Sequence, residues 1–156
     1  MKKSRRKTRQ CLFQALYSRV NLWSSFDKED FLESFYDEEY TQAIDEIYFN
    51  ETFSWIIEKE SELVAIVKTL APKFDIVTMP LINVLPIFIA SYEMLYLKCD
   101  NVPEKVSIDE ALELTKIYSD DNWRIFVNWV LNSLKDKKST ITVDLEKIEK
   151  KQFFFR

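Results

Sequence analysis

Leu81-Ile82-Asn83-Val84-Leu85-Pro86-Ile87-Phe88-Ile89-Ala90-Ser91-Tyr92 is the longest apolar run of the chain, with only Asn83 and Ser91 as clearly polar members. It falls short of the ~20 residues that a membrane-spanning helix needs, so it reads as a helix buried on most sides. A helix without a polar face must be covered by amphipathic neighbours. The run is expected to open near Thr78 to Pro80, where a proline in the first turn gives up an N–H that has no partner anyway, and to continue to about Lys98. Pro86 inside it predicts a kink or a displaced start.

The flanking sequence supplies the covers. On the C-terminal side, Asp100-Asn101-Val102-Pro103 is a turn. Ser107-Ile108-Asp109-Glu110 then has the S-x-x-E form of a capping box, in which Ser and Glu satisfy each other's orphan backbone donors. Its helix carries Ala111, Leu112, Leu114 and Ile117 to about Tyr118. Asp120 or Asp121 caps the next helix, in which Phe126, Val127, Val130, Leu131 and Leu134 face inward. On the N-terminal side, Phe53, Ile56, Ile57, Leu63, Ile66, Val67 and Leu70 follow the three-four spacing of one long helix from about Thr52 to Leu70, ended by Pro72. A third helix is expected near Tyr40 to Phe49 after the acidic link Asp37 to Glu39. A second stands behind Asp27 with Phe31, Leu32 and Phe35 on one face, and Ser4 caps a first that runs to about Arg19. No internal repeat appears. The fold class is all-α, with one domain over residues 1–135 and a charged tail over 136–156. That tail contains Thr140-Ile141-Thr142-Val143 and ends in Phe153-Phe154-Phe155-Arg156, an exposed apolar cluster or a strap, and a candidate partner or dimer contact.

Composition narrows the function. The chain has 156 residues, 47% hydrophobic and 31% charged, as expected of a soluble globular protein. Its 22 basic and 26 acidic residues give a net charge of -4, which taken alone argues against nucleic acid. The distribution reverses that. Lys2, Lys3, Arg5, Arg6, Lys7 and Arg9 crowd the start without an acid among them, so a basic arm precedes an acidic body and concentrates anion binding at one end. Behind the arm, Gln10 to Ser18 is a helix-prone segment with an apolar stripe at Leu12, Ala15 and Leu16, and with Gln14 and Tyr17 one turn further on.

The absences exclude more. With no histidine and two distant cysteines, Cys11 and Cys99, neither a zinc site nor a Ser-His or Cys-His nucleophile can be built. With no glycine there is no phosphate-cradling loop or dinucleotide fingerprint. No enzymatic activity, cofactor or metal is expected, and Glu93, Asp109 and Glu110 are not read as an acid–base set. No apolar core follows the basic run, so no secretory leader is expected. A reduced, cytoplasmic setting is, with both thiols as small core residues.

Three stretches carry a family resemblance. Arg5-Arg6-Lys7-Thr8-Arg9-Gln10-Cys11-Leu12-Phe13-Gln14-Ala15-Leu16-Tyr17 resembles the Arg-rich start and A-x-Q-A-L-Y pattern of the NusB family of bacterial transcription antitermination factors. Tyr92-Glu93, Val102-Pro103 and Val106-Ser107-Ile108-Asp109-Glu110-Ala111-Leu112-Glu113-Leu114-Thr115-Lys116 are similar to P-x-x-V-A-I-N-E-A-V-E-L-A-K. Phe126-Val127-Asn128-Trp129-Val130-Leu131 matches F-V-N-G-V-L. Order and spacing fit from about Arg5 to Leu134.

The resemblance implies a compact domain of about seven helices in two bundle-like halves. It also implies a function: binding boxA-type single-stranded RNA together with NusE, a ribosomal protein, so that the RNA polymerase elongation complex reads through ribosomal RNA operons. Carried over by position, Arg5, Arg6, Lys7 and Arg9 would contact phosphates. Gln14, Tyr17, Asn122 and Phe126 would add polar and stacking contacts to unstacked bases. The alternative is a helical interaction domain that has kept the fold and lost boxA specificity. Departures fall at Ile125, often Lys in the family, and at Asn83, Val84 and Phe88, where the family has charged residues near the surface associated with NusE. Family glycines fall on Trp55 and Trp129, where an indole is expected to overpack by ~1–3 kcal/mol. In a chain without glycine, these two positions suggest glycine codons read under a different genetic code.

Overall fold

The computed structural model describes residues 2–35, 38–141 and 147–156. Among them run eight α-helices: α1 (Arg5–Leu22), α2 (Lys28–Phe35), α3 (Glu38–Gln42), α4 (Glu46–Glu58), α5 (Glu60–Leu70), α6 (Leu81–Leu95), α7 (Glu104–Tyr118) and α8 (Asp121–Lys137). No strand occurs among the described residues. Asp37 of the acidic link and Thr142 and Val143 of the tail lie outside them, as do the side chains of Phe35, Glu38 and Glu39.

The apolar run is the axis of the fold. Every residue of α6 from Asn83 to Met94 is buried, and α6 packs against α1, α4, α5, α7 and α8. Helices α1, α4 and α5 reach it from the N-terminal part of the chain, and α7 and α8 from the C-terminal part. Each large side chain brought fully out of water there, such as Leu85, Ile87 or Phe88, stabilises the fold by about 1.5–3 kcal/mol. The start of α6 is displaced past Pro80 to Leu81, behind a separate 3-10 turn at Ile76–Thr78 capped by Asp75, and the helix then runs on through Pro86. Ser4, Asp27 and Asp120 accept the backbone N–H groups of Lys7, Asp30 and Trp123, as their cap positions predict.

Several expectations are corrected. The long helix over 52–70 is two helices that meet at Lys59, and the first begins at Glu46. Lys59 leaves helical geometry (φ -97°, ψ 16°) and sets its ammonium 4.5 Å from the Tyr96 ring. A break of one residue keeps the same face buried, so the apolar spacing did not reveal it. The capping box at Ser107 does not start its helix. Helix α7 begins at Glu104 behind Pro103, and both box residues are claimed from elsewhere in the fold: Ser107 donates to Glu93, and Glu110 receives Arg6. Cys11 is buried, which pushes its thiol up to about 12, but Cys99 is exposed. Trp55 and Trp129 do not overpack a helix crossing. They lie at the surface, 43% and 49% exposed, and the reading of those codons as glycine loses its packing support. Trp23, at the end of α1, holds φ 51°, the one positive φ among the described residues.

The end of the chain returns to the body. Glu60, buried at the start of α5, accepts the backbone N–H groups of Phe153, Phe154 and Phe155 at 2.8, 2.6 and 3.1 Å. Phe155 is buried in the core, Phe154 meets Phe88 edge-on, and the Arg156 carbonyl accepts from Arg19. Residues 147–156 thus form a strap across α1 and α5.

Candidate nucleic-acid interface

The basic arm is the first turn of α1, and its four candidate residues divide sharply. Arg9 turns inward and is 4% exposed. Its Nε and Nη2 donate to Glu93 at 2.8 and 2.9 Å, and Tyr48 and Ser107 donate hydroxyls to the same carboxylate. Burial opposes the charge on Arg9, but the Glu93 hydrogen bonds and charge outweigh it and raise its pKa. Arg9 is therefore a core ion pair, with Nη1 3.9 Å from Glu110 and almost no surface left to meet a phosphate. Arg5 is intermediate. Its Nη2 reaches Asp45 at 3.1 Å and Asp100 at 3.2 Å, and its guanidinium lies 4.2 Å from the Tyr48 ring.

Arg6 and Lys7 face solvent. Arg6 forks onto Glu110, with Nη2 2.8 Å and Nε 3.2 Å from the carboxylate oxygens, while its side chain stays 63% exposed. Beside it, a cleft of about 510 Å³ is lined by Arg6, Asp109, Leu112, Glu113, Arg124, Ile125 and Asn128. Lys7 sets its ammonium 5.3 Å from the Tyr40 ring. An exposed guanidinium shared with one carboxylate keeps donors for a phosphate, and it can exchange partners at small cost.

Gln14 and Tyr17 come together two turns further along α1. With Phe13, Ser18, Ile82 and Tyr118 they line a cavity of about 250 Å³, and Tyr17 is 42% exposed. Asn122 and Phe126 do not join that cavity. They line a separate recess of about 490 Å³ with Phe74, Trp123, Ile125 and Trp129. The Phe126 ring, half-buried, lies 4.6 Å from Phe74, 5.8 Å from Trp123 and 6.3 Å from Trp129. Tyr118, at the end of α7, lines one hollow, and Asn122, at the start of α8, lines the other.

Sequence reasoning missed Tyr118, whose only cue was an aromatic residue at a helix end, and the ring partners Phe74 and Trp123. The carboxylates that compete for the arm, Glu93, Glu110, Asp45 and Asp100, carried no signal either, because each meets its arginine across 40 or more residues of chain. Among the described residues no group of three or more Cys, Asp or Glu could hold a metal ion, and no helix is long and apolar enough to cross a membrane.

Known proteins resemble this chain over most of its length. A model of the NusB family matches residues 6–136. The chain is 34% identical over 140 residues to the transcription antitermination protein NusB of Limosilactobacillus fermentum, covering 87% of this chain and 96% of that one. It is 35% identical over 141 residues to the Shewanella baltica protein of the same name, covering 86% and 96%. The solved structure of T. maritima NusB superposes with a TM-score of 0.69 at 26% identity, over 88% of this chain and 94% of that one.

Proposed function

Because the chain belongs to the NusB family, we propose that it works as that family's transcription antitermination factor, binding boxA-type single-stranded RNA jointly with NusE. One observation carries the reading. Exposed cations at Arg6 and Lys7 and an aromatic cavity at Gln14 and Tyr17 lie along the same helix, α1. A single strand offers the same alternation, with phosphates for the cations and unstacked bases for the rings. Arg6 and Lys7, with Lys2 and Lys3 beside them, supply the salt-dependent part of the affinity. Arg5 adds to it only when it lets go of Asp45 or Asp100, and Arg9 holds the arm to the body. Asn122 and Phe126 contribute from their own recess. The protein acts without catalysis, in the cytoplasm, as a component of the RNA polymerase elongation complex. A second copy of the chain is a further candidate partner.

The test is a fluorescence-anisotropy titration of labelled boxA-type RNA against a scrambled strand, with and without NusE of the same organism. Preference for boxA that tightens with NusE supports the reading, and equal binding of both strands in the presence of NusE overturns it. The second reading, an interaction domain that has lost boxA specificity, is favoured by one feature. The position before Phe126 is Ile125, 69% exposed, so the recess lacks a cation there.

A further inference from the structure

The cavity beside Tyr17 contains a hydrogen-bonding device that the family motifs do not explain. Tyr118, the last residue of α7, lies flat against Phe13, with ring centroids 4.2 Å apart and planes 8° from parallel. Its hydroxyl oxygen accepts the Gln14 side-chain amide at 2.7 Å. The stack fixes the ring plane and the amide occupies one lone-pair direction, so the phenol proton must point elsewhere. Among the described residues it is donated to no protein acceptor. The other walls are the half-exposed Tyr17 ring, Ser18 and Ile82, and the opening holds about 250 Å³.

We infer that this cavity is a pocket for one unstacked nucleobase, and that Tyr118 selects the base by donating its hydroxyl proton to a keto oxygen. The inference rests on the RNA-binding reading above and adds to it a specificity-determining residue and a base class. The Tyr17 ring supplies the stacking face, and Ile82 closes the apolar side. A keto base, uracil or guanine, presents an acceptor where cytosine or adenine presents an amino group. An amino base leaves the phenol proton without a partner inside the pocket, and a buried polar group left unpaired is the strongest source of discrimination a small site has. Gln14 acts as a positioning residue, because its amide sets which way that proton points.

The experiment is a base scan by anisotropy. Each uridine of the labelled boxA-type RNA is replaced in turn by cytidine and titrated against the wild-type protein, Tyr118→Phe and Gln14→Ala. Tyr118→Phe keeps the stack on Phe13 and removes one oxygen, so its thermal midpoint should match the wild type. The expected result is a loss of about 10-fold for cytidine at one position with the wild type. Tyr118→Phe should bind both RNAs alike at that position and keep its discrimination at the others. Gln14→Ala should fall between the two. Undiminished discrimination in Tyr118→Phe, or no position at which the wild type distinguishes uridine from cytidine, overturns the pocket. In the second case, salt-dependent binding that still weakens in Arg6→Ala leaves the RNA-binding reading standing. Failure of the wild type to bind the RNA at all removes both.

Discussion

Each end of this chain is fixed to the body by a buried glutamate, and the two glutamates work differently. Glu93, in α6, gathers side chains: the Arg9 guanidinium, the Tyr48 hydroxyl and the Ser107 hydroxyl. Glu60, in α5, gathers main chain: three consecutive N–H groups of the strap, from Phe153 to Phe155. At the first, a full positive charge answers the carboxylate. At the second, only backbone dipoles and a more distant Arg19 do, so burial raises the Glu60 carboxyl pKa despite the three hydrogen bonds that lower it. An anchor made of side chains is written into residue identities and shows in motifs. One made of main chain is written into almost nothing.

The largest effect should come from breaking the N-terminal anchor. Glu93→Ala leaves Arg9 charged and buried and orphans two hydroxyls, so urea denaturation should show a loss of about 3–5 kcal/mol. A loss below about 1 kcal/mol would mean that the pair is replaceable and the contrast empty. Glu60→Ala strands three donors at the edge of the body, some of which water can reach once the strap lifts. A cost of about 1–3 kcal/mol is expected, with faster tryptic cleavage at Lys150 and Lys151 while the midpoint of the helical body moves less. Equal costs for the two substitutions would erase the distinction between the anchors.

Acidity sharpens the same comparison. A carboxyl whose folded pKa is raised, as at Glu60, contributes its stability below the unfolded value of about 4.3 and loses it as pH rises through the folded value. Asp45 and Glu51 are lowered, because burial is outweighed by the Tyr48 N–H and Arg5 at Asp45, and by the Lys98 N–H, the Tyr92 hydroxyl and the Cys99 N–H at Glu51. Their contributions are present above the unfolded value and disappear as pH falls through the folded one. The stability advantage of the wild type over Glu60→Gln should therefore shrink from pH 4 to pH 7, whereas its advantage over Asp45→Asn should grow as pH rises toward the unfolded value of about 3.9 and then level off. Parallel profiles would contradict the assignment. The smallest effect on stability belongs to Arg6, whose side chain is mostly in water. Arg6→Ala should leave the denaturation midpoint in place and reduce the slope of log affinity against log salt by about 1 in the RNA titration.

Much of the fold was legible because helices announce themselves through local spacing. The run from Leu81 to Tyr92 gave the buried axis, and the inward residues Val127, Val130, Leu131 and Leu134 of α8 are all buried. The candidate site was legible in part. Gln14 and Tyr17 share a cavity because they share a helix, whereas Phe126 lies in another recess, and no local pattern reports where two helices diverge. The arm misled for a physical reason. Six cations among the first nine residues look alike in sequence, and which of them is drawn inward depends on a carboxylate 84 residues away. The S-x-x-E pattern at Ser107 misled in the same way, since tertiary partners outbid the local cap. The strap was named as one option for the aromatic tail, but no pattern in the sequence pointed to Glu60 as its holder.

The strap also has a hereditary consequence. A grip on main-chain atoms is nearly blind to mutation, because eighteen of the other nineteen amino acids bring the same N–H to positions 153 and 154. Proline alone cannot, having no such hydrogen to give. Position 155 is held more closely, since its side chain is also buried. Lineages carrying this strap should therefore keep its attachment through changes of letter at positions 153 and 154, losing only the apolar contacts of those two rings. What selection guards is the acid at position 60, together with a ban on one imino acid.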